Sequence, residues 1–375
     1  VPLATRILHR AHFEPPAPVA PEPAPVTEAV PLALPAAPPV EPSKPEEPVE
    51  VLVVGQQSET ERLEKSADSV TVVRLDEQKK RSSDMGEVMA RVPGVVIRRA
   101  GGLGSDTRFS LNGLYDDAVP IFVDGVPLWM SGYPQNIGNI PVNAVQYIEV
   151  YRGVVPLRLS ADALGGAVNL VTNRTFENRL GASYQIGSFG LHRTTAAAQY
   201  RHDPSGFVAR LSGFVDVAKN DYPIDVEVPD ERGRLSPATV PRFHDAYSSF
   251  AGMAEAGVVE RSWARRLIVK GFYGGGNKQL QHNTVMTVPY GEVESGTTTG
   301  GVNVFYDVPL SSTFDLEIVG GFSHTAFDFR DKSQWVYDWF GERVRERLVA
   351  GETEADPTDQ TTWQNAGFAR ALGEW

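Results

Sequence analysis

From residue 180 onward the chain is written in long runs that alternate with a period of two, and this pattern limits the fold more than any other. In 207–217, Phe207, Ala209, Leu211, Gly213, Val215 and Val217 share one side, while Arg210, Ser212 and Asp216 share the other with Val208 and Phe214. Residues 314–323 repeat it, with Phe314, Leu316, Ile318, Gly320 and Phe322 against Asp315, Glu317, Val319, Gly321 and Ser323. A period of two marks a strand whose faces meet unlike surroundings. The connections alternate too. Those at 202–206, 258–264 and 308–313 are short, those at 219–246, 275–299 and 328–361 are long and polar, and only the turn near Ser188-Phe189-Gly190 is short at the long-loop end. Short turns on one side and long loops on the other suit a membrane-spanning antiparallel β-barrel, apolar side to lipid and polar side to lumen. No run approaches the ~18 apolar residues of a membrane helix. Strands closed into a barrel are then the way through a bilayer, because every backbone group there must be satisfied within the protein.

The front of the chain is of another kind. Residues 14–48 hold 13 of the 28 prolines, interleaved with Ala, Val and Glu. Proline fixes φ and removes a donor, so this stretch reads as an extended linker reaching on the order of 100 Å. Ahead of it, Val1, Leu3, Thr5 and Ile7 alternate as one strand of an upstream domain. The opening Val1-Pro2-Leu3-Ala4 has neither an initiator Met nor a charged-then-apolar leader, so a chain cut or processed at its front is expected. Behind the linker, Val51-Leu52-Val53-Val54-Gly55 is a short apolar run in polar surroundings, a strand in search of an edge.

Residues 69–173 read as a compact α+β unit. A strand is expected at Ser69–Leu75, then a helix capped by Asp84 with Met85, Val88, Met89 and Val92 on one face, stopped by Pro93-Gly94. Ile121-Phe122-Val123, Asp124-Gly125 and Val126-Pro127-Leu128 read as a hairpin on a type I′ turn, and 145–151 and 167–172 as two more strands.

Forty-seven acidic against 35 basic residues give a net charge of −12, which argues against nucleic acid as a partner. Lys79-Lys80-Arg81 reads as a solvated charge run. Without cysteine the chain has neither disulfides nor thiolate metal sites. The seven histidines show no zinc spacing, Asp116-Asp117 reads as a solvated turn, and Gly274-Gly275-Gly276-Asn277-Lys278 lacks the Ser or Thr of a phosphate loop. No catalytic residue, metal site or cofactor is expected, and an all-β periplasmic enzyme lacks its catalytic set.

Four short segments in order carry a family resemblance: Val92-Pro93-Gly94-Val95, Val123-Asp124-Gly125-Val126-Pro127-Leu128, Ile148-Glu149-Val150-Tyr151-Arg152-Gly153, and Ala163-Leu164-Gly165-Gly166-Ala167-Val168-Asn169-Leu170-Val171-Thr172. Together they resemble the plug of TonB-dependent outer-membrane receptors. The resemblance implies a TonB box at 49–56 (Val51, Leu52, Val53, Val54, Gly55), an α+β plug domain at 60–173 and the first part of a transmembrane barrel at 180–375. It also implies plug-motif residues Pro93, Gly94, Asp124, Gly125, Arg152, Gly153, Leu164, Gly165, Gly166 and Asn169. The strand at 1–13 is similar to the closing strand of a TonB C-terminal domain. Two positions depart from the family pattern. Asn112-Gly113 stands where Arg-Gly is usual, leaving open how the plug makes the barrel contact that arginine commonly provides. Leu157-Arg158-Leu159-Ser160 stands where Tyr-Gly is frequent, leaving open that loop's geometry.

A box on a long tether can pair with a partner's sheet edge through main-chain hydrogen bonds. The implied partners are therefore a periplasmic TonB-type transducer, outer-membrane lipid and a small-molecule ligand, with import of a siderophore, cobalamin or carbohydrate as the function. A signalling or adhesion receptor is the alternative. Plug loops at 101–107 and 129–140 are the candidates to meet the ligand through Gly101, Asp106, Trp129, Met130, Tyr133 and Gln135. Eight strands fit in 180–370, and a barrel of ~22 strands would take roughly 330 residues more, so a fragment of a longer product or a truncated gene is expected.

Overall fold

The computed structural model describes residues 70–375 apart from 78, 80–84, 116–117, 160–162, 164, 231 and 354–356. The expected strand at 1–13, the linker, the box Val51–Gly55, the Asp84 cap, the Asp116-Asp117 pair and Leu164 lie outside the described residues. All described residues belong to one unit, Gln56–Trp375.

The first part builds two small sheets. β1 (Val70–Arg74), β5 (Ile121–Val123), β6 (Val126–Pro127), β7 (Tyr147–Arg152) and β8 (Gly166–Val171) form a five-stranded sheet in the order β1-β7-β8-β5-β6. Only the β5–β8 pair is parallel. β2 (Val95–Arg99), β3 (Thr107–Leu111) and β4 (Leu114–Tyr115) form a three-stranded meander. Every residue of β8 and all but Arg152 of β7 are buried, so these strands are covered on both faces and their apolar runs need no alternation. The hairpin at Asp124-Gly125 has φ of 51° and 78°, as a type I′ turn requires. Leu128 does not extend β6, because it opens a 3-10 turn over Leu128–Met130.

Helix α1 (Met85–Met89) buries Met85, Val88 and Met89 as its spacing requires, but it is shorter than expected. Val92 is buried from a turn after the helix has ended. Pro93 keeps Val92 out of the helix, because its ring clashes with a helical conformation at the residue before it, and the chain already leaves the helix for turns after Met89.

The second part is one antiparallel sheet of eight long strands: β9 (Arg179–Gly187), β10 (Leu191–His202), β11 (Phe207–Ala218), β14 (Tyr247–Arg261), β15 (Ala264–Gln279), β16 (Glu294–Pro309), β17 (Asp315–Asp331) and β20 (Thr358–Glu374). Each pairs with its sequence neighbour in the sheet, from β20 at one edge to β9 at the other, and the sheet is not closed. β12 (Pro223–Pro229) pairs with β13 (Leu235–Pro241), and β18 (Trp335–Tyr337) with β19 (Arg343–Glu346), as hairpins inside two of the long loops. The long loops are shorter than the polar stretches suggest. Residues 275–279 and 294–299 lie in β15 and β16, leaving 280–293 as loop, and 328–331 and 358–361 belong to β17 and β20. Polar and glycine residues there continue the ladder rather than leaving it, so Gly274–Lys278 is strand and no phosphate loop.

The two faces of this sheet differ as the alternation demands. Leu180, Ile186, Leu211, Val215, Tyr273, Phe322 and Trp363 are half exposed or more on one face. Arg210, Asp216, Met253, Phe272 and Asn303 are buried on the other, against the first part of the chain. An apolar surface of this extent is an association face in water and a solvated one in hydrocarbon.

Two glycines of the β7–β8 region separate backbone strain from crowding. Gly153 has φ +82° with nothing within 4 Å of an added Cβ, so Gly153→Ala should cost about 1–2 kcal/mol for its left-handed backbone. At Gly166, φ +122°, a Cβ would fall 2.2 Å from the Tyr151 carbonyl oxygen. Gly166→Ala is therefore expected to lower the urea midpoint well beyond Gly153→Ala, and equal shifts would contradict the crowding argument.

Candidate functional site

The motif residues of the first part converge on one buried carboxylate. Glu149, in the middle of β7, is fully buried. Its Oε2 accepts from Asn169 Nδ2 at 2.9 Å, from the Tyr151 hydroxyl at 3.1 Å and from Arg158 Nη2 at 3.1 Å. Arg158 also donates to the Tyr151 hydroxyl at 2.5 Å. Asn169 Oδ1 accepts the Gly125 N–H at 3.0 Å, and Asp124 accepts from the Thr172 N–H and hydroxyl at 3.0 and 2.7 Å. Three of the four recognised segments are thus one hydrogen-bonded node. The fourth is tied instead to the first departure: Asn112 (φ 52°) and Gly113 (φ 83°) form another left-handed pair between β3 and β4, and the Asn112 N–H donates to the Gly94 carbonyl at 2.8 Å. Leu157-Arg158-Leu159-Ser160 has its own logic as well: Arg158 is the cation that the buried Glu149 needs. Burial opposes charge on Arg158, but the carboxylate beside it wins and raises its pKa. Gly165 packs an N–H onto the Ala118 carbonyl at 2.8 Å, and Gly153 turns the chain after β7.

The eight-stranded wall holds this unit largely by its main chain. Arg193 Nη2 donates to the Asn139 carbonyl at 3.2 Å, Asn303 Nδ2 to the Met130 carbonyl at 3.1 Å, and Arg370 Nη1 to the Gly125 carbonyl at 3.3 Å. Arg210 Nη2 reaches the Thr175 carbonyl at 3.3 Å and Asn220 Nδ2 the Leu103 carbonyl at 2.8 Å. The arginines are held in turn by wall carboxylates. Arg193 makes a two-pronged pair with Asp216 at 2.9 Å on each side, Arg210 pairs with Glu255 at 3.1 Å, and Arg370 with Glu317 at 2.8 Å. Between the two parts lies apolar contact as well: Tyr133 stacks on Phe214 with ring centroids 6.2 Å apart, and Lys270 sits 5.5 Å from the Tyr133 ring. Burial, reinforced by Asp124, raises the Tyr133 pKa.

The residues expected to face a ligand separate into two groups. Trp129 is 42% exposed and Gln135 is exposed. Together with Asn136, Asn139 and the backbone of Gly104 and Gly132 they line a cleft of about 210 Å³ against Tyr247, Ser249, Lys278, Thr297 and Thr299 of the wall. Tyr133, 7% exposed, also borders this cleft while its ring packs on the wall, whereas Met130 is fully buried against the wall and does not line it. Gly101 borders a separate cavity of about 560 Å³ with Arg99, Phe189, Asn220 and Tyr222. Asp106 is exposed beside Arg108 at 4.0 Å. The wall donors Arg193, Asn303 and Arg370 escaped notice in the sequence. The available signal was a charged or amide side chain on the polar side of an alternating strand, as at Arg210 and Asp216.

Among the described residues, no group of three or more His, Asp or Glu side chains could hold a metal ion.

Residues 62–167 match the family model described as TonB-dependent Receptor Plug Domain. The vitamin B12 transporter BtuB of Vibrio vulnificus (strain CMCP6) is 24% identical over 138 residues, which cover 37% of this chain and 23% of that protein. Among solved structures, the ferric enterobactin receptor PfeA of Pseudomonas aeruginosa, a mutant in complex with enterobactin, superposes with a TM-score of 0.55 at 13% identity, covering 82% of this chain and 47% of that one. The siderophore receptor PirA of Acinetobacter baumannii gives 0.53 at 15%, covering 85% and 46%. The chain thus spans under a quarter of the curated relative's length and just under half of these solved receptors.

The Glu149 node makes a double-mutant test. Removing one partner of a buried ion pair leaves an uncompensated charge, so Arg158→Met should destabilise by about 2–3 kcal/mol, somewhat below the usual ~3–5 kcal/mol because Arg158 is partly exposed. Adding Glu149→Gln should restore part of that loss in chemical denaturation. Strictly additive losses would show that the two side chains do not depend on each other.

Proposed function

We propose that this chain, a member of the TonB-dependent receptors, supplies the plug and leading barrel strands of an outer-membrane importer. Such an importer binds a scarce solute on its outer side and admits it when a periplasmic TonB-type transducer draws on Val51–Gly55. In this reading the plug occupies 60–173, the barrel begins at 180, and the long loops face outward. The observation that carries it is the manner in which the plug is held. The wall's side chains grip plug carbonyls one hydrogen bond at a time, each worth only about 0.5–1.5 kcal/mol net. A domain so held can be shifted or loosened stepwise by a pull on its N-terminal end without unfolding its own core. The Glu149 node keeps that core together while the grip changes.

The solute belongs to the siderophore, cobalamin or carbohydrate classes, and the cleft favours an uncharged member. Trp129 offers a ring face, and Gln135, Asn136, Thr297 and Thr299 offer neutral hydrogen-bonding groups. Lys278 is the one charged side chain in the lining, and it is already paired with Asp245 at 2.6 Å. The relative named as a vitamin B12 transporter is consistent with this.

Deletion of Val51–Gly55 in the intact gene should abolish energised uptake of labelled cyanocobalamin, ferric chelates or oligosaccharides, whichever wild-type cells import, and leave binding at the cell surface intact. Undiminished uptake by a correctly inserted deletion protein would sink the coupling assignment. Trp129→Ala should weaken binding of that same solute about tenfold, roughly the loss of one stacking contact of 1–2 kcal/mol.

A further inference from the structure

Three long loops meet above the plug segment 99–105 in a polar joint that is buried apart from the half-buried His282. Loop 219–246 contributes Arg242, His244 and Asp245, loop 280–293 contributes Gln281 and His282, and loop 332–357 contributes Trp339. Arg242 Nη1 pairs with Asp245 Oδ2 at 2.9 Å, and Lys278, at the end of β15, reaches Asp245 Oδ1 at 2.6 Å. Two histidines tie the first two loops in opposite senses. His282 Nε2 lies 2.8 Å from Arg242 Nη2, and its Nδ1 lies 2.7 Å from the Asn283 carbonyl. His244 Nε2 lies 2.9 Å from the Val293 carbonyl.

The chemistry of these partners fixes the protonation of His282. A guanidinium can only donate and a carbonyl can only accept, so the ring carries its single proton on Nδ1 and accepts from Arg242 through Nε2. A second proton would set an N–H against a guanidinium at 2.8 Å. The charged groups around His282 are Arg242, Lys278 and Asp245, and the Asp245 carboxylate is already shared between the two cations. From the third loop it meets the uncharged Trp339 ring, 6.3 Å away. His244 is surrounded by Glu294, Asp245 and Lys278. Burial is the largest influence on both rings and holds both pKa values below the ordinary histidine range.

The joint extends to the plug. The Arg242 guanidinium lies over the Tyr222 ring at 4.8 Å, and the Tyr222 hydroxyl accepts the Gly102 N–H at 3.1 Å. Asn220 Nδ2 bridges the Asp245 and Leu103 carbonyls at 2.9 and 2.8 Å.

We propose that His282, assisted by His244, is an acid-sensitive latch: as neutral rings they bind loops 219–246 and 280–293 to each other and to plug segment 99–105, and protonation of His282 opens the joint. The closed form binds fewer protons than the open form. Its stability is therefore complete above the ordinary histidine value of ~6.5 and declines as pH falls below it. The latch is a property of the loops and holds whether or not the chain imports a solute.

Hydrogen–deuterium exchange on the full-length protein in detergent, at about pH 7.5 and about pH 5.5 with intrinsic rates corrected, tests it. Opening of segments 99–105 and 280–293 should rise on acidification, by up to about tenfold per pH unit below ~6.5 for each histidine that titrates. His282→Gln with His244→Gln supplies a donor and an acceptor at each place without a titrating group, and should remove the response. A wild-type protein indifferent to pH, or a double variant that responds as wild type does, overturns the proposal. If the glutamines loosen the loops at both pH values, Arg242→Gln decides: it removes the opposing cation, so a smaller acid response supports the latch and an unchanged one refutes it.

Discussion

A carboxylate with no access to water governs the plug. Stripped of solvent, Glu149 must find hydrogen-bond donors and a countercharge or forfeit several kcal/mol. The fold brings them from three directions: Asn169 from the adjacent strand, Tyr151 two residues along the same strand and Arg158 from the following loop. Because Asn169 also receives the Gly125 N–H, the position of the Asp124-Gly125 turn is set by the same node. The glycines of the motif then read as geometry. Gly125 supplies the left-handed corner of a two-residue hairpin, and Gly166 lets β8 run against the Tyr151 carbonyl without a methyl group between them. Three of the four segments that carry the resemblance are in this sense a single object distributed over the sequence.

The wall obeys the complementary rule. Its outer face is apolar and its inner face mixes cations, carboxylates and amides, and the inner arginines that touch the first part of the chain are tied to carboxylates of the wall. Arg193 with Asp216, Arg210 with Glu255 and Arg370 with Glu317 follow this scheme. Pre-pairing keeps a buried guanidinium from being stranded if its plug contact is broken, which a movable plug requires. Family pattern leads one to look for an arginine on the plug near Asn112. Here the arginines that meet the plug are on the wall, and Asn112 serves a turn.

Much of this was legible because a strict period of two leaves little freedom. The eight strands and the alternation of short and long connections follow directly from where apolar residues fall in 180–370, and the Asp124-Gly125 turn from its two residues. Loop limits were less legible, since polar and glycine residues such as those of 275–279 sit in a strand as readily as in a loop once the lumen face is polar. Amphipathic spacing carries the helix at Met85 through Val92 because a buried turn residue keeps the same period, and it takes no account of the restriction Pro93 places on Val92. The least visible layer was long-range side-chain pairing. Glu149 stands alone in an apolar run, Ile148-Glu149-Val150, which signals a buried charge but does not say that Arg158 answers it. A mixed apolar and polar loop has the same composition whether it faces a solute or a protein wall, so nothing in 129–140 separates Met130, buried against the wall, from Trp129, Tyr133 and Gln135, which border the cleft.

The grip on plug carbonyls has a consequence for how such a molecule can change over generations. A main-chain oxygen is present whatever side chain stands beside it, so the wall's hydrogen bonds to Gly125, Met130 and Asn139 follow the course of the plug backbone rather than the identity of its side chains. Plug side chains that do not themselves pack on the wall, as Met130 and Tyr133 do, can then drift without loss of these hydrogen bonds, whereas the few donors on the wall have no such latitude. Two proteins of this architecture could then differ widely in plug surface sequence and still exchange plugs, provided the turns that steer the backbone are kept.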